Sequence, residues 1–119
     1  MKLIIAIIRP DALDSVQRAL QTVLDEADKY RLTVAPVQGH GRQEGEVEFF
    51  RGQAVRKQLV TRLQVTIGVN DQYVDRAIDA IISGARSGEN GEVGDGKIFV
   101  VPLERCIRIR TGESGGGAV

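Results

Sequence analysis

The chain has 119 residues, and its 16 Lys plus Arg are balanced by 16 Asp plus Glu. That length fits one domain that buries roughly two-thirds of its unfolded surface. With 42% hydrophobic and only 4% aromatic residues, the composition excludes a disordered chain and argues against a nucleic-acid or membrane-surface binder.

The single cysteine, Cys106, cannot form an internal disulfide and suits a cytoplasmic protein. The apolar start from Met1 to Ile8 is too short for membrane insertion and lacks a small-residue cleavage site. Residues 3–8 form a continuous β-branched run closed by Pro10, which predicts a central strand buried on both faces. Asp11 can cap the helix that follows. Leu13, Val16, Leu20, Val23 and Leu24 recur at steps of three and four, as on an amphipathic helix.

Leu32 to Val37 reads as the second strand. From Gly39 to about Gln58 the sequence alternates glycines with charged residues of both signs, and a loop this long is usually functional. Leu63 to Ile67 alternates as a third strand. Asn70-Asp71 then caps a second helix with Val74, Ala77, Ile78, Ile81 and Ile82 on one face. A Gly-rich loop from Ser87 to Gly96 leads into the strand Ile98 to Val101, and Cys106 to Ile109 reads as a short final strand. The order is βαββαβ, the split βαβ pattern, with both helices on one face of a four-stranded antiparallel sheet. The bare face is expected to be covered in a symmetric oligomer.

Gly94-Asp95-Gly96-Lys97 carries the clearest chemistry. Its glycines allow positive φ and close backbone approach, and its N–H groups can form an anion-binding concavity with Lys97 as a point charge. Arg108 and Arg110 lie two apart, so on a strand they point the same way, and two planar guanidiniums beside such a turn would clamp phosphates. On spacing alone, a solvated hairpin with surface charges explains these residues equally well. In Gly39-His40-Gly41-Arg42-Gln43, Arg42 can meet phosphate, while Gln43 offers a neutral oxygen to Mg²⁺. His40 is the only histidine and has no nearby partner that would make a transition-metal site or a catalytic triad. The chain is therefore expected not to be an enzyme.

Taken together, Ile4 to Pro10, Gly39 to Gln43, Phe50-Arg51-Gly52, Gly94 to Val100 and Arg108 to Glu113 resemble the PII signal-transduction family over nearly the whole length. The resemblance implies an α+β, ferredoxin-like subunit in a homotrimer, with residues 1–112 as the domain. The T-loop would span about 39–58, the nucleotide loop about 86–97, and residues 113–119 a flexible tail. ATP or ADP would lie in clefts between subunits. Gly94, Asp95, Gly96, Lys97, Arg108 and Arg110 would hold phosphates, with Gly41 and Arg42 helping from the T-loop base and Ile7, Thr33 and Gly68 near the adenine. Gln43 would complete a Mg²⁺ site when 2-oxoglutarate binds beside ATP, and the T-loop would control a target enzyme, transporter or regulator. Where members carry a uridylylated tyrosine, a lysine for 2-oxoglutarate and a third-strand glutamate, this chain has Val55, Arg62 and Thr66. Short insertions stand near Asp25 to Lys29 and around Glu89-Asn90-Gly91. Those departures leave room for a divergent paralogue that binds ADP or AMP with another small anion, such as bicarbonate.

Overall fold

The computed structural model describes residues 1–24, 31–40, 47–50, 53–56 and 59–119. For 47–50 and 53–56 the description covers the backbone alone. Strand β1 (Lys2–Ile8) leads to helix α1 (Leu13–Val23) and strand β2 (Leu32–Gly39). Short strands β3 (Val47–Phe50) and β4 (Gln53–Arg56) follow, then β5 (Val60–Val69), α2 (Val74–Ala85) and β6 (Gly96–Pro102).

The main sheet has the order β2-β5-β1-β6. Strand β1 pairs antiparallel with both β5 and β6, and β2 pairs antiparallel with β5. Each βαβ unit therefore has one foreign strand inserted between its own two, which is the expected split pattern. The strands run longer than hydrophobicity alone suggests, because β5 extends from Val60 and β2 continues to Gly39. Strands β3 and β4 form a separate two-stranded hairpin inside the expected loop, with Val47 opposite Arg56 and Phe50 opposite Gln53. Sequence patterning gave no sign of it.

The core lies on one side of the sheet. Ile4, Ala6 and Ile8 of β1 and Val65, Ile67 and Val69 of β5 meet Val16, Leu20 and Leu24 from the α1 side and Ala77, Ala80 and Ile81 of α2. Period-two alternation turns Leu3, Ile5 and Ile7 to the other face, where they are only half-buried. β1 is thus central, yet it is covered on one face within a single chain. Phe99 and Val101, opposite Ile5 and Leu3, extend this open apolar surface onto β6.

Two expected caps are not made. Asp11 and Asp71 instead sit in one-turn 3₁₀ segments ahead of the helices, and neither helix start carries a side-chain cap. Asp71 pairs with the Met1 ammonium at 2.9 Å and Lys2 at 3.4 Å, while Asn70 Nδ2 donates to the Gly116 carbonyl. Among the described residues no helix is long and apolar enough to cross a membrane.

The helices cross closely at Gly84. A Cβ there would lie 2.7 Å from Val16 Cα and 2.9 Å from the Ser15 carbonyl oxygen. These obstacles are backbone and cannot swing away. Gly84→Ala should therefore destabilise the fold, since overpacking costs about 1–3 kcal/mol against the roughly 1 kcal/mol that alanine gains over glycine in a helix. Urea denaturation would read the sign, and a more stable variant would contradict this account of the crossing.

Candidate functional site

The loop between α2 and β6 is organised by one carboxylate. Asp95 accepts hydrogen bonds from the Ser87 hydroxyl at 2.6 Å, the Ser87 N–H at 2.9 Å and the Glu92 N–H at 2.8 Å. Arg9 Nε stands 3.5 Å from the same group. Ser87 follows the end of α2, and Asp95 precedes β6, so this single side chain staples the two ends of the loop. The Ser87 hydroxyl first, then the Ser87 and Glu92 N–H groups and the Arg9 charge, hold its carboxyl down to about 2. The Asp95 carboxylate therefore shapes the turn, while Lys97, two positions on, holds its ammonium 5.9 Å from the Phe99 ring.

Glycine is required on both sides of Asp95. Gly96 has φ +115°, and a Cβ there would lie 1.7 Å from the Ile7 carbonyl oxygen, inside the β1–β6 ladder. Gly94 has φ +99°, and its Cβ would meet Arg9 Nη2 at 3.2 Å and Arg62 Nη2 at 3.4 Å. Two guanidiniums thus flank the turn. Arg9 is fixed there by bonds to the Gly94 carbonyl at 3.2 Å and the Val93 carbonyl at 2.9 Å, while Arg62 donates to the Thr61 carbonyl. Sequence reasoning singled out Arg62 and passed over Arg9. The clue was available: one step beyond the last β1–β6 pair, Ile8 with Gly96, register puts Arg9 beside Asp95.

Beside the turn, a cleft of about 340 Å³ opens between α2 and β6. Ile78, Ile82, Ala85 and the helix-ending Arg86 line its helix side, and Asp95, Gly96 and Lys97 lie at its strand side. Ile7 sits opposite Lys97 in the sheet, so the expected adenine and phosphate contacts adjoin here. Thr33, paired with Thr66, and Gly68, paired with Leu3, belong to the open sheet face as Ile7 does. Gly41, Arg42 and Gln43 lie outside the described residues.

Arg108 and Arg110 are elsewhere. They line a second cavity of about 380 Å³ together with Arg31, Ala118 and Val119. They sit on a tight turn, not on the strand that spacing suggested. Arg108 N–H donates to the Glu113 carbonyl, Gly112 N–H donates to the Arg108 carbonyl, and Ile107 and Ser114 close the hairpin as a lone bridge. The Arg108 guanidinium is held by Glu113 at 2.8 Å and the Gly117 carbonyl at 2.9 Å. Residues 113–119 fold back over this region: Gly115 N–H donates to the Cys106 carbonyl, and Val119 lies against Gly68. Gly68 pairs with Leu3 and Gly94 follows on from Ile8, so the arginine hairpin and the glycine turn occupy opposite ends of the sheet. At about 3.3 Å per strand residue that separation is roughly 20 Å. One chain does not bring the expected clamp together.

Residues 1–113 match the family described as Nitrogen regulatory protein P-II. The chain belongs to that family. It is 45% identical over 119 residues to the nitrogen regulatory protein GlnK1 of Methanosarcina mazei, covering 100% of this chain and 97% of that one. It is 46% identical to the P-II protein of Nostoc punctiforme over the full length of both. Identity to P-II 2 of Methanothermobacter thermautotrophicus is 43%, over 100% of this chain and 97% of the relative. As a P-II protein it is a signal-transduction regulator, and the α+β ferredoxin-like fold agrees with that membership.

The Asp95 staple gives this P-II chain a pH-sensitive loop. A carboxyl depressed from 3.8 to about 2 on folding adds stability that is complete above the unfolded value and is lost as pH falls through the folded one. The loop should keep its order at pH 5 and open between roughly pH 4 and 2. The Ser87 amide resonance followed by NMR should titrate in that window and cease to do so in Asp95→Asn. An Asp95 that titrates near 4 would rule the staple out.

Proposed function

We propose that this P-II protein binds ATP or ADP in clefts shared between the subunits of a cytoplasmic homotrimer. Binding would be read out through the T-loop, which controls a target enzyme, transporter or regulator. The separation of the two basic elements carries the proposal. A phosphate chain held by the Gly94–Lys97 turn is out of reach of Arg108 and Arg110 of the same chain, and a second copy can supply them. Such a contact joins unlike surfaces and closes a ring when the rotation permits. In this reading Ile7, Thr33 and Gly68 adjoin the adenine, and Gly41 and Arg42 complete the phosphate cradle. The apolar open face, with Ile5, Phe99 and Val101, is the surface that a ring would cover.

Gln43 would join Mg²⁺ and 2-oxoglutarate beside ATP, and Arg62 would take one carboxylate of the effector. Its guanidinium lies against Gly94, where a planar fork can meet a carboxylate through two parallel bonds. With valine at position 55, the control works without uridylylation there. The neighbouring Arg9 and Arg62 also favour a second reading, a compact site for ADP or AMP with a small anion such as bicarbonate. Thermal shift separates the two: stabilisation by 2-oxoglutarate that needs Mg-ATP supports the first, and stabilisation by bicarbonate with ADP or AMP supports the second.

Calorimetry should show ATP binding to the wild type, and its absence at millimolar nucleotide would remove the proposal. Lys97→Ala and Arg108→Ala should each weaken ATP by about 10- to 100-fold, the loss of one charge-assisted contact worth roughly 1.5–3 kcal/mol. The two variants unfolded, mixed and refolded together should regain some tight sites, because an intact turn on one chain meets an intact arginine on the next. Mixtures no better than either parent would refute a cleft shared between copies.

A further inference from the structure

Arg108 and Arg110 border the same cavity, but their surroundings differ. Arg110 is exposed and makes no ion pair among the described residues. Arg108 is engaged through both of its terminal nitrogens. Nη1 donates to Glu113 Oε2 at 2.8 Å, and Nη2 donates to the Gly117 carbonyl at 2.9 Å. The Glu113 contact is built from two sides. Arg108 N–H donates to the Glu113 carbonyl and Glu113 N–H to the Thr111 hydroxyl, so the backbone sets the carboxylate beside the guanidinium. Opposite it, a Cβ on residue 117 would come within 2.7 Å of Glu113 Oε1, so glycine leaves the carboxylate its place. A phosphate approaching from the cavity meets a guanidinium whose charge is already offset.

Through Gly117 the same guanidinium also holds residues 114–119. Gly115 N–H donates to the Cys106 carbonyl, Asn70 Nδ2 donates to the Gly116 carbonyl, and Val119 rests against Gly68. Ala118 and Val119 form a wall of the cavity. No residue from 113 to 119 is buried. A few polar bonds hold this segment, and a segment held so opens at small cost in free energy.

We propose that Glu113 is an internal anion that competes with a ligand phosphate for Arg108, and that phosphate, by displacing it, releases residues 114–119 from the cavity wall. The inference rests on the nucleotide reading above and adds its regulation: the free chain keeps its own arginine occupied. A phosphate can take both terminal nitrogens through parallel bonds. Glu113 and the Gly117 carbonyl then turn to water, and the position of the segment reports whether phosphate is bound.

Two variants weaken the lock in different ways. Glu113→Gln keeps the shape and removes the charge, while Gly117→Ala keeps the charge and crowds the carboxylate away from Arg108. Both positions are exposed, so both chains should fold. Calorimetry should show each binding ATP about two- to fivefold more tightly, which is what a part-exposed ion pair is worth. A Glu113 that merely braces Arg108 would give weaker binding instead. In an Arg108→Ala chain neither change should alter affinity. The ¹⁵N relaxation of Gly115 and Ala118 should show a rigid segment in the free wild type and a mobile one with ATP or inorganic tripolyphosphate. A chain that binds ATP with the segment still rigid, and no more tightly in either variant, overturns this inference alone. Release by tripolyphosphate in a chain that does not bind ATP overturns the nucleotide reading and leaves the lock standing. A chain that binds no ATP and keeps the segment rigid with tripolyphosphate overturns both.

Discussion

The antiparallel pairing of β1 with both β5 and β6 decides where everything else can go. It inserts β1 between β5 and β6, so α2 must cross over it and end beside the start of β6. It inserts β5 between β1 and β2 in the same way, which puts α1 next to α2 on the same face. The register leaves no slack at the turn. Opposite Ile8, only glycine fits at position 96, because any side chain would enter the Ile7 carbonyl. A slip of one residue would turn Ile4, Ala6 and Ile8 out of the core. The same pairing that builds the core therefore places Lys97 and the Gly94 turn at one end of the sheet.

From that fixed point the loop between α2 and β6 is held by polar bonds more than by burial. No buried hydrophobic residue comes from positions 86–95, and Val93 is largely exposed. What closes the loop is Asp95 on Ser87 and Glu92, backed by Arg9 from the end of β1. A loop ordered this way keeps its outward face free of apolar packing, and its N–H groups and Lys97 can face a ligand. Arg9 and Arg62 would repel each other if left alone beside Gly94. The Asp95 and Glu92 carboxylates, 3.5 and 3.9 Å from Arg9, offset its charge, and Arg62 has no ion pair to either. An anion arriving at this spot accordingly meets Arg62 as the less neutralised of the two.

The order of elements was legible because it rests on hydrophobic periodicity. The β-branched run at 3–8 and the three-and-four spacing of Val16 and Leu20 are direct images of burial. Strand ends were not legible. Gln38, Thr61 and Arg62 join the ladder through backbone bonds, which leave no mark on side-chain pattern. Asp11 and Asn70 looked like caps, but one 3₁₀ turn shifts each helix start past them. Of the candidate site, the glycines at 94 and 96 were readable, since only their backbone demands explain them. The role of Asp95 was not, because its partners Ser87 and Glu92 lie in a loop without periodicity. Arg108 and Arg110 line one cavity, but a bridge at Ile107 followed by a turn replaced the expected strand.

A site divided between copies behaves differently from one held in a single chain. If the turn end and the arginine end of neighbouring sheets form one cleft, each bound nucleotide adds attraction between two chains that carry like charge at that point. Ligand affinity and assembly are then linked, and each must change the other by the same free energy. Apparent affinity would then fall on dilution, because separated chains would hold only half of the proposed clamp. The near-zero net charge fits this arrangement, since the chains do not repel at long range and the repulsion is confined to the cleft. A regulator built so would report nucleotide through the contact between its subunits, with the Asp95-stapled loop as the part of each chain that faces the signal.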